Sequence, residues 1–445
     1  MRLMHWIFAV CLFTASFDIA LVFEVGGTLR LAQILMVAIV FGGLAVVAQS
    51  GKILWPSGGI ALILWCCLQV IFMFTTDTVA TGIVFNANLF FTILGVYAVL
   101  QLYGDGDRIE LLMKTYLASY IFVSLFGLFQ LVSPSLHLGS YFVTQWIVHG
   151  KFPRINGFSY EPSFFACYII MGWIMLLDLR SSKAEITARR IWKWIAVIMG
   201  ASLFLSTSKT AWLMMALEGA LRGVPLIFRA CRLRLSRFST GNVSIVRPRL
   251  YLLIVALLLM GVAVEGGILI SSVVNPNVFL GGTGLNNTAS HSVTDRTEEA
   301  SETLDVFKEN PWVGQGFAGV AQRIAETQGH SVSSMEDIKL FRGFPVILEV
   351  LAASGVIGIL PFLWFMGANS VGNLRLISRR WPNERAKWLR ALIRALIFEF
   401  IVLIQAQNLL RLYFWFHVTM VVVVGFNLRY CERVGDRSQA VDVEA

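Results

Sequence analysis

Apolar residues run along this chain in long uninterrupted blocks, and polar residues are gathered into the joints between them. A helix that crosses bilayer hydrocarbon needs about 20 mostly apolar residues. Blocks of that kind at 5–23, 31–48, 53–74, 82–102, 112–133, 163–179, 191–206, 210–228, 250–272, 346–371, 391–407 and 412–428 predict about twelve transmembrane helices. None alternates with a period of two, which argues against an outer-membrane barrel and its ten-residue strands. The predicted class is an all-α polytopic membrane protein with one integral membrane domain over 1–445. The opening Met1-Arg-Leu-Met-His-Trp resembles a secretion signal, but no small-residue cleavage site follows and Asp18 interrupts the apolar run, so a retained first helix is expected.

The joints carry the orientation. Arg180, Lys183, Arg189 and Arg190 fill one; Arg229, Arg232, Arg234, Arg237, Arg247 and Arg249 fill the basic loop 229–249; Arg375, Arg379, Arg380, Arg385, Lys387 and Arg390 fill a third. Under the positive-inside rule all three are cytoplasmic, and counting spans between them places both termini there too. The net charge of +9 in a chain that is 57% hydrophobic, with mean hydropathy +0.71, is then an orientation and lipid-contact signal. It does not call for a nucleic-acid partner. The six cysteines, Cys11, Cys66, Cys67, Cys167, Cys231 and Cys431, show neither a disulfide framework nor a metal-ligand spacing.

The predicted outer side has two large pieces, 134–162 and 273–345. The stretch at 138–150 is rich in aromatic and aliphatic residues and suits a short interfacial helix. A connector of about seventy residues is uncommon unless it has a function. On this side, where positive charge is normally depleted, stand Lys151, Arg154, Lys209, Arg296, Arg323, Arg342 and Arg411. Arginine offers a planar fork of donors and lysine a mobile point charge, so such a set suits an anion site. The competing reading is that each snorkels to lipid headgroups or pairs with Glu161, Glu298 or Glu302.

Glu161 precedes Pro162, a residue favoured in the first turn of a helix, so its carboxylate is either a cap and ion-pair partner or a general base. His330 and His291 are alternatives for proton transfer in the outer loop. Glu218, Glu265 and Glu399 lie within predicted spans and must face protein or water.

Four segments carry a family resemblance. Arg154-x-x-Gly157-x-x-x-Glu161-Pro162-Ser163 resembles the motif that opens the central region of the O-antigen ligase and polymerase superfamily. Leu205-Ser-Thr-Ser-Lys209-Thr resembles its short Ser-Arg signature, with lysine in the arginine's place. Arg296 followed by Asn310-Pro-Trp-Val-Gly314-Gln-Gly316-Phe resembles its large periplasmic loop, and Leu348 to Gly358 resembles the helix that returns from it. The resemblance spans about 150–360.

It implies a GT-C-like helical core in the bacterial inner membrane, with a large periplasmic loop between helices 9 and 10. It implies metal-independent glycosyl transfer, without a cofactor, from an undecaprenyl-diphosphate-linked glycan to a glycan acceptor. Membrane lipids and a chain-length regulator are the further partners it suggests. Arg154, Lys209 and Arg296 are expected to bind the diphosphate, and Glu161, His330 and Arg342 to serve catalysis. Ligases of this superfamily carry a histidine where Phe344 stands here, and the Glu-Pro-Ser ending is closer to polymerases, so polymerisation of O-antigen or exopolysaccharide repeats is the leading expectation. Ligation of polymer to lipid A-core is the first alternative, and a transporter or flippase the second. The three cations are expected to converge on one cavity at the periplasmic boundary.

Overall fold

The computed structural model describes residues 2–24, 28–75, 79–106, 108–148, 152–238, 290–333, 335–381, 383–403 and 411–444, and within them the chain is overwhelmingly helical. The predicted span 250–272, with Glu265, Lys151, Arg247 and Arg249, lies outside the described residues. Among the described residues six helical segments are long and apolar enough to cross a membrane: Leu31–Ser50 (α2), Val79–Tyr103 (α4), Ile109–Leu136 (α5 with the turn after it), Pro162–Ser181 (α7), Val346–Arg379 (α13) and Leu412–Cys431, the first part of Leu412–Glu444 (α15). Arg2–Phe13 (α1), Gly59–Phe72 (α3) and Ile191–Leu205 (α8) are apolar but hold only 12, 14 and 15 residues. The predicted spans 210–228 and 391–407 fall in Lys209–Phe238 (α9) and Glu384–Leu403 (α14).

α1 stops at Phe13, well short of the predicted end of its apolar run at residue 23. The reason is Asp18, whose carboxylate is 4% exposed and bound by arginines; a lipid-facing helix would leave it bare. The chain instead turns and forms an antiparallel hairpin, Val22–Glu24 (β1) with Thr28–Arg30 (β2), Val22 opposite Arg30. The interfacial helix expected over 138–150 is a single turn, Gly139–Phe142 (α6). Beyond it Trp146–Val148 (β3) pairs with Phe152–Pro153 (β4).

α7 and the first part of α15 are buried on nearly every side and form the centre, whereas α2 is largely exposed. α14 packs along α7, α2 along α4, and α13 along α3. Polar side chains in this interior are tied to one another: Tyr116 Oη meets His417 Nδ1 at 2.9 Å, His417 Nε2 meets the Leu392 carbonyl at 2.9 Å, and Ser119 Oγ meets Tyr168 Oη at 2.8 Å. Asp178 near the end of α7 lies 3.0 Å from Arg390 and 3.6 Å from Arg394. Glu218 of α9 pairs with Arg222 and lies 2.8 Å from Arg394, so α7, α9 and α14 share one buried ionic clasp. Glu218 is therefore a structural tie.

The segment 290–345 folds against the bundle as Ser290–Glu309 (α10), Gly316–Thr327 (α11) and Met335–Leu340 (α12). Between α10 and α11 the segment Asn310–Gly316 is stitched to a break in α13. Gly355 there has φ 61°, which interrupts the helical ladder. The groups so released find partners: Val356 and Ile357 donate to the Pro311 and Trp312 carbonyls at 2.9 and 3.1 Å, and Gln315 N donates to the Ala352 carbonyl at 3.1 Å. In apolar surroundings a broken helix survives only where protein replaces those bonds. The approach is so close that a Cβ on Gly355 would collide with the Trp312 oxygen, and one on Gly314 would lie 2.5 Å from the Ala353 carbonyl carbon.

Two stability measurements check this account. Asp178→Ala removes the carboxylate that Arg222, Arg390 and Arg394 share, while Glu218 still holds Arg222 and Arg394, and is expected to destabilise the detergent-solubilised protein by about 1.5–3 kcal/mol in chemical unfolding. Gly355→Ala combines an unfavourable φ with a backbone collision, so it is expected to lower the thermal unfolding temperature more than Gly367→Ala, where an added Cβ meets nothing within 4 Å.

Candidate functional site

The polar motif from Arg154 to Ser163 is a loop moulded on one glutamine. Gln130 near the end of α5 accepts from the backbone N–H groups of Asn156 and Gly157 at 3.2 and 2.9 Å, and its own amide donates to the Gly157 carbonyl at 3.1 Å. Asn156 turns inward to donate to Thr144 Oγ1 and the Ser159 carbonyl, each at 2.6 Å. Gly157 takes φ 57°, and an added Cβ would sit 2.7 Å from the ring of Phe165. Phe158 stacks between Phe17 and Phe126, with centroids 4.0 and 3.9 Å away. This anchoring fixes where the two ends of the motif, Arg154 and Glu161, can point.

Arg154 points at the corner between α8 and α9. Its Nε donates to Thr207 Oγ1 at 3.1 Å, which joins the first motif to the second. Thr207 itself has φ 54°, an uncommon state for a β-branched residue, of the kind held at functional sites by surrounding contacts. Burial depresses the pKa of the Arg154 guanidinium, and the Glu161 carboxylate nearby offsets part of that. Arginine nonetheless remains protonated. Lys209 stands exposed as the first residue of α9, two residues beyond Thr207.

Glu161 occupies the residue before Pro162 at the head of α7, but its side chain makes no capping hydrogen bond. It is exposed, and Ser163 Oγ donates to its Oε2 at 2.9 Å. The carboxylate thus lies in the electrostatic field of both Arg154 and Arg342 while presenting itself outward.

Arg342 sits between α12 and α13, half-buried. Burial lowers its pKa; Glu349, Glu161 and Glu299 act to raise it, and Arg411 to lower it. Glu349 lies buried in the first turn of α13 beside Arg342 and the backbone of Gly343. Arg411 precedes α15, with its guanidinium 4.1 Å above the ring of Phe164 and paired with Asp18. Arg30, from β2, reaches the same aspartate at 3.0 Å.

The loop 152–161, the α8–α9 corner, the 341–344 turn and the start of α15 therefore bring their charged residues to one end of the bundle. Arg154, Glu161 and Arg342 are grouped there, with Lys209 beside the residue that Arg154 holds. Arg296 is in α10, three residues before Glu299, and its side chain lies outside the described residues, as does that of His291. His330 is exposed and leans on the ring of Phe341, with centroids 5.4 Å apart, at the border of the cluster next to Arg342. Phe344, in the place where a ligase shows histidine, donates its backbone N–H to Thr303 Oγ1 at 2.9 Å.

Sequence reasoning missed Asp18 as a participant, and Arg30 altogether. Arg30 satisfies the criterion that picked out the other cations, a positive charge on the predicted outer side at a helix start. Asp18 carried a weaker signal, a lone acid in an apolar run. Glu349, four residues after Pro345 and inside the returning-helix motif, carried none.

The family model described as O-antigen ligase matches residues 194–363. No curated protein matches the chain. The matched region covers most of α8, all of α9, the segment through α12 and the broken half of α13, and so includes three of the four motifs, with Arg154–Ser163 just ahead of it. Over that part the chain is similar to the O-antigen ligase family, in line with the resemblance its motifs carry.

Proposed function

We propose that the protein transfers a glycan from an undecaprenyl-diphosphate carrier to an acceptor sugar, and that it does so repeatedly, as a polymerase of O-antigen or exopolysaccharide repeat units. One observation carries the reading: cations from separate parts of the chain, Arg154, Arg342 and Arg411, gather with a single outward-facing carboxylate, Glu161, at one end of an apolar bundle. The arginine-rich joint at Arg180 to Arg190 follows the opposite end of α7, roughly 30 Å away at 1.5 Å per residue. With that joint in the cytoplasm, the site faces the periplasm.

Cleavage of the bond from anomeric carbon to diphosphate oxygen develops positive charge on the sugar and negative charge on the departing diphosphate. Arg154, Arg342, Lys209 and Arg296 hold that diphosphate and stabilise the charge it gains. Glu161 takes the proton from the acceptor hydroxyl as its oxygen bonds to the anomeric carbon. His330 borders the site and is the second candidate for that proton. Ligation is the second reading, favoured by the description of the matching family; Phe344 in the histidine's place favours polymerisation.

In a polymer-null strain complemented with the gene, Arg154→Ala is expected to abolish the long-chain glycan ladder while a single-repeat product persists. Loss of both products would assign ligation instead. With purified protein in nanodiscs, Arg342→Ala is expected to cut turnover roughly 100- to 1,000-fold. Glu161→Gln separates cap from base: because no capping bond is made, thermal stability is expected to stay close to wild type while turnover falls by a similar factor. Full turnover in that variant would remove Glu161 from the chemistry.

A further inference from the structure

Asp18 belongs to none of the four motifs, yet it ties two more arginines to them. Its Oδ1 faces Arg30 at 3.0 Å and also Arg411, while Oδ2 is buried without a hydrogen-bond partner. The backbone holds Asp18 firmly, since its N–H and that of Ile19 donate to the Phe158 carbonyl at 2.9 and 3.1 Å. Ser159 Oγ closes the contact by donating to the Ser16 carbonyl at 3.3 Å. The central motif thus fixes Asp18, and Asp18 fixes Arg411 over Phe164, three residues beyond Glu161.

Arg30 and Arg411 both lean on the one carboxylate of Asp18, whereas Arg342 is faced by Glu349, Glu161 and Glu299. Arg411 disfavours the charged form of both Arg30 and Arg342, which is the mark of like charges held close. Two guanidinium forks gathered on a single carboxylate oxygen suit a bridging anion, because planar forks match phosphate oxygens. Beside Arg30 the surface is apolar: Leu21, Phe23, Leu29 and Ile34 are 40–50% exposed. A pair of partly exposed guanidiniums bordered by exposed hydrocarbon fits a ligand that carries both features.

We propose that Arg30 and Arg411 form a second anion-binding arm that receives the diphosphate of an isoprenoid diphosphate, its hydrocarbon lying along the β1–β2 hairpin, and that Asp18 is the positioning residue of this arm. This rests on the glycosyl-transfer reading for the identity of the carrier. It adds to that reading a binding arm drawn from the first thirty residues and the last helix.

The test is binding of farnesyl diphosphate to the full-length protein in phosphatidylcholine nanodiscs, measured by calorimetry. Arg411→Gln and Arg30→Gln are each expected to weaken binding about 10-fold or more. Asp18→Asn gives the sharper result, because it adds net positive charge. A purely electrostatic role requires tighter binding, whereas a positioning role requires weaker binding, expected here at about 5-fold or more. Should Asp18→Asn fail to fold, Arg411→Lys keeps the charge and the aspartate pair but loses the fork, and is expected to lose about 5-fold.

Unchanged affinity in both Arg→Gln variants, or equal or tighter binding in Asp18→Asn, overturns the proposal. If Arg154→Gln then still abolishes binding, the glycosyl-transfer reading survives without this arm. If the wild type itself does not bind, both readings fall. Equal competition by phosphatidylglycerol nanodiscs, with the same dependence on Arg30 and Arg411, would mark a lipid-headgroup site and overturn the isoprenoid assignment.

Discussion

Backbone amides and carbonyls released within an apolar bundle must be bonded again by protein, and this single requirement organises the half of the molecule that carries the candidate site. At Gly355 the ladder of α13 opens, and the carbonyls of Pro311 and Trp312 close it. The seal couples two segments that otherwise belong to different parts of the chain, the α10–α11 connection and the returning helix. It also sets the depth at which the 341–344 turn meets the bundle, because that turn leads directly into α13. Arg342 and Glu349 are carried on either side of this entry. The glycines of the Gly314-Gln-Gly316 segment are there for closeness of approach: a side chain at Gly314 would occupy the space of the Ala353 backbone.

The two ends of α7 solve the problem of charge in opposite ways. Towards Ser181, Asp178 and Glu218 collect Arg222, Arg390 and Arg394 into a clasp that holds three helices together. There the arginines face buried carboxylates of neighbouring helices, and their main consequence is rigidity. Towards Pro162, Asp18, Glu161, Glu299 and Glu349 stand among Arg30, Arg154, Arg342 and Arg411, and the carboxylate of Glu161 faces outward. That outward-facing carboxylate, more than the number of arginines at either end, separates the structural cluster from the candidate site.

Much of this was legible in the chain itself. Long apolar blocks announced a helical membrane protein, and the predicted sidedness of Arg154, Lys209, Arg342 and Arg411 singled out cations that the positive-inside rule alone does not explain. The contact between Arg154 and Thr207 joins two motifs about fifty residues apart. Lengths were less legible. A hydropathy pattern does not say that α1 ends ten residues before its apolar run does, because the cause is an ion pair to Arg30 and Arg411 formed only in the fold. The single helical turn at Gly139–Phe142 is a similar case: the aromatic run suited a helix, but the backbone of Arg154 bonds to Gln145 and draws the chain into a hairpin. Glu218 shows the reverse, an acid conspicuous in sequence that proves to be a helix-to-helix tie.

The pairing of Asp18 with Arg411 also imposes an order on biosynthesis. The two residues are 411 − 18 = 393 positions apart, so at roughly 5–20 residues per second the aspartate is made some 20–80 s before its partner. Throughout that interval Asp18 has Arg30 alone, and the rim of the site lacks its final guanidinium. Completion therefore coincides with insertion of the last helix. A nascent chain carries the whole Arg154–Ser163 motif only once α7 has begun, and Arg411 is added long after that. The fold thus joins residues 18 and 411 beside the candidate site, and a chain that lost α15 would be left with an open rim.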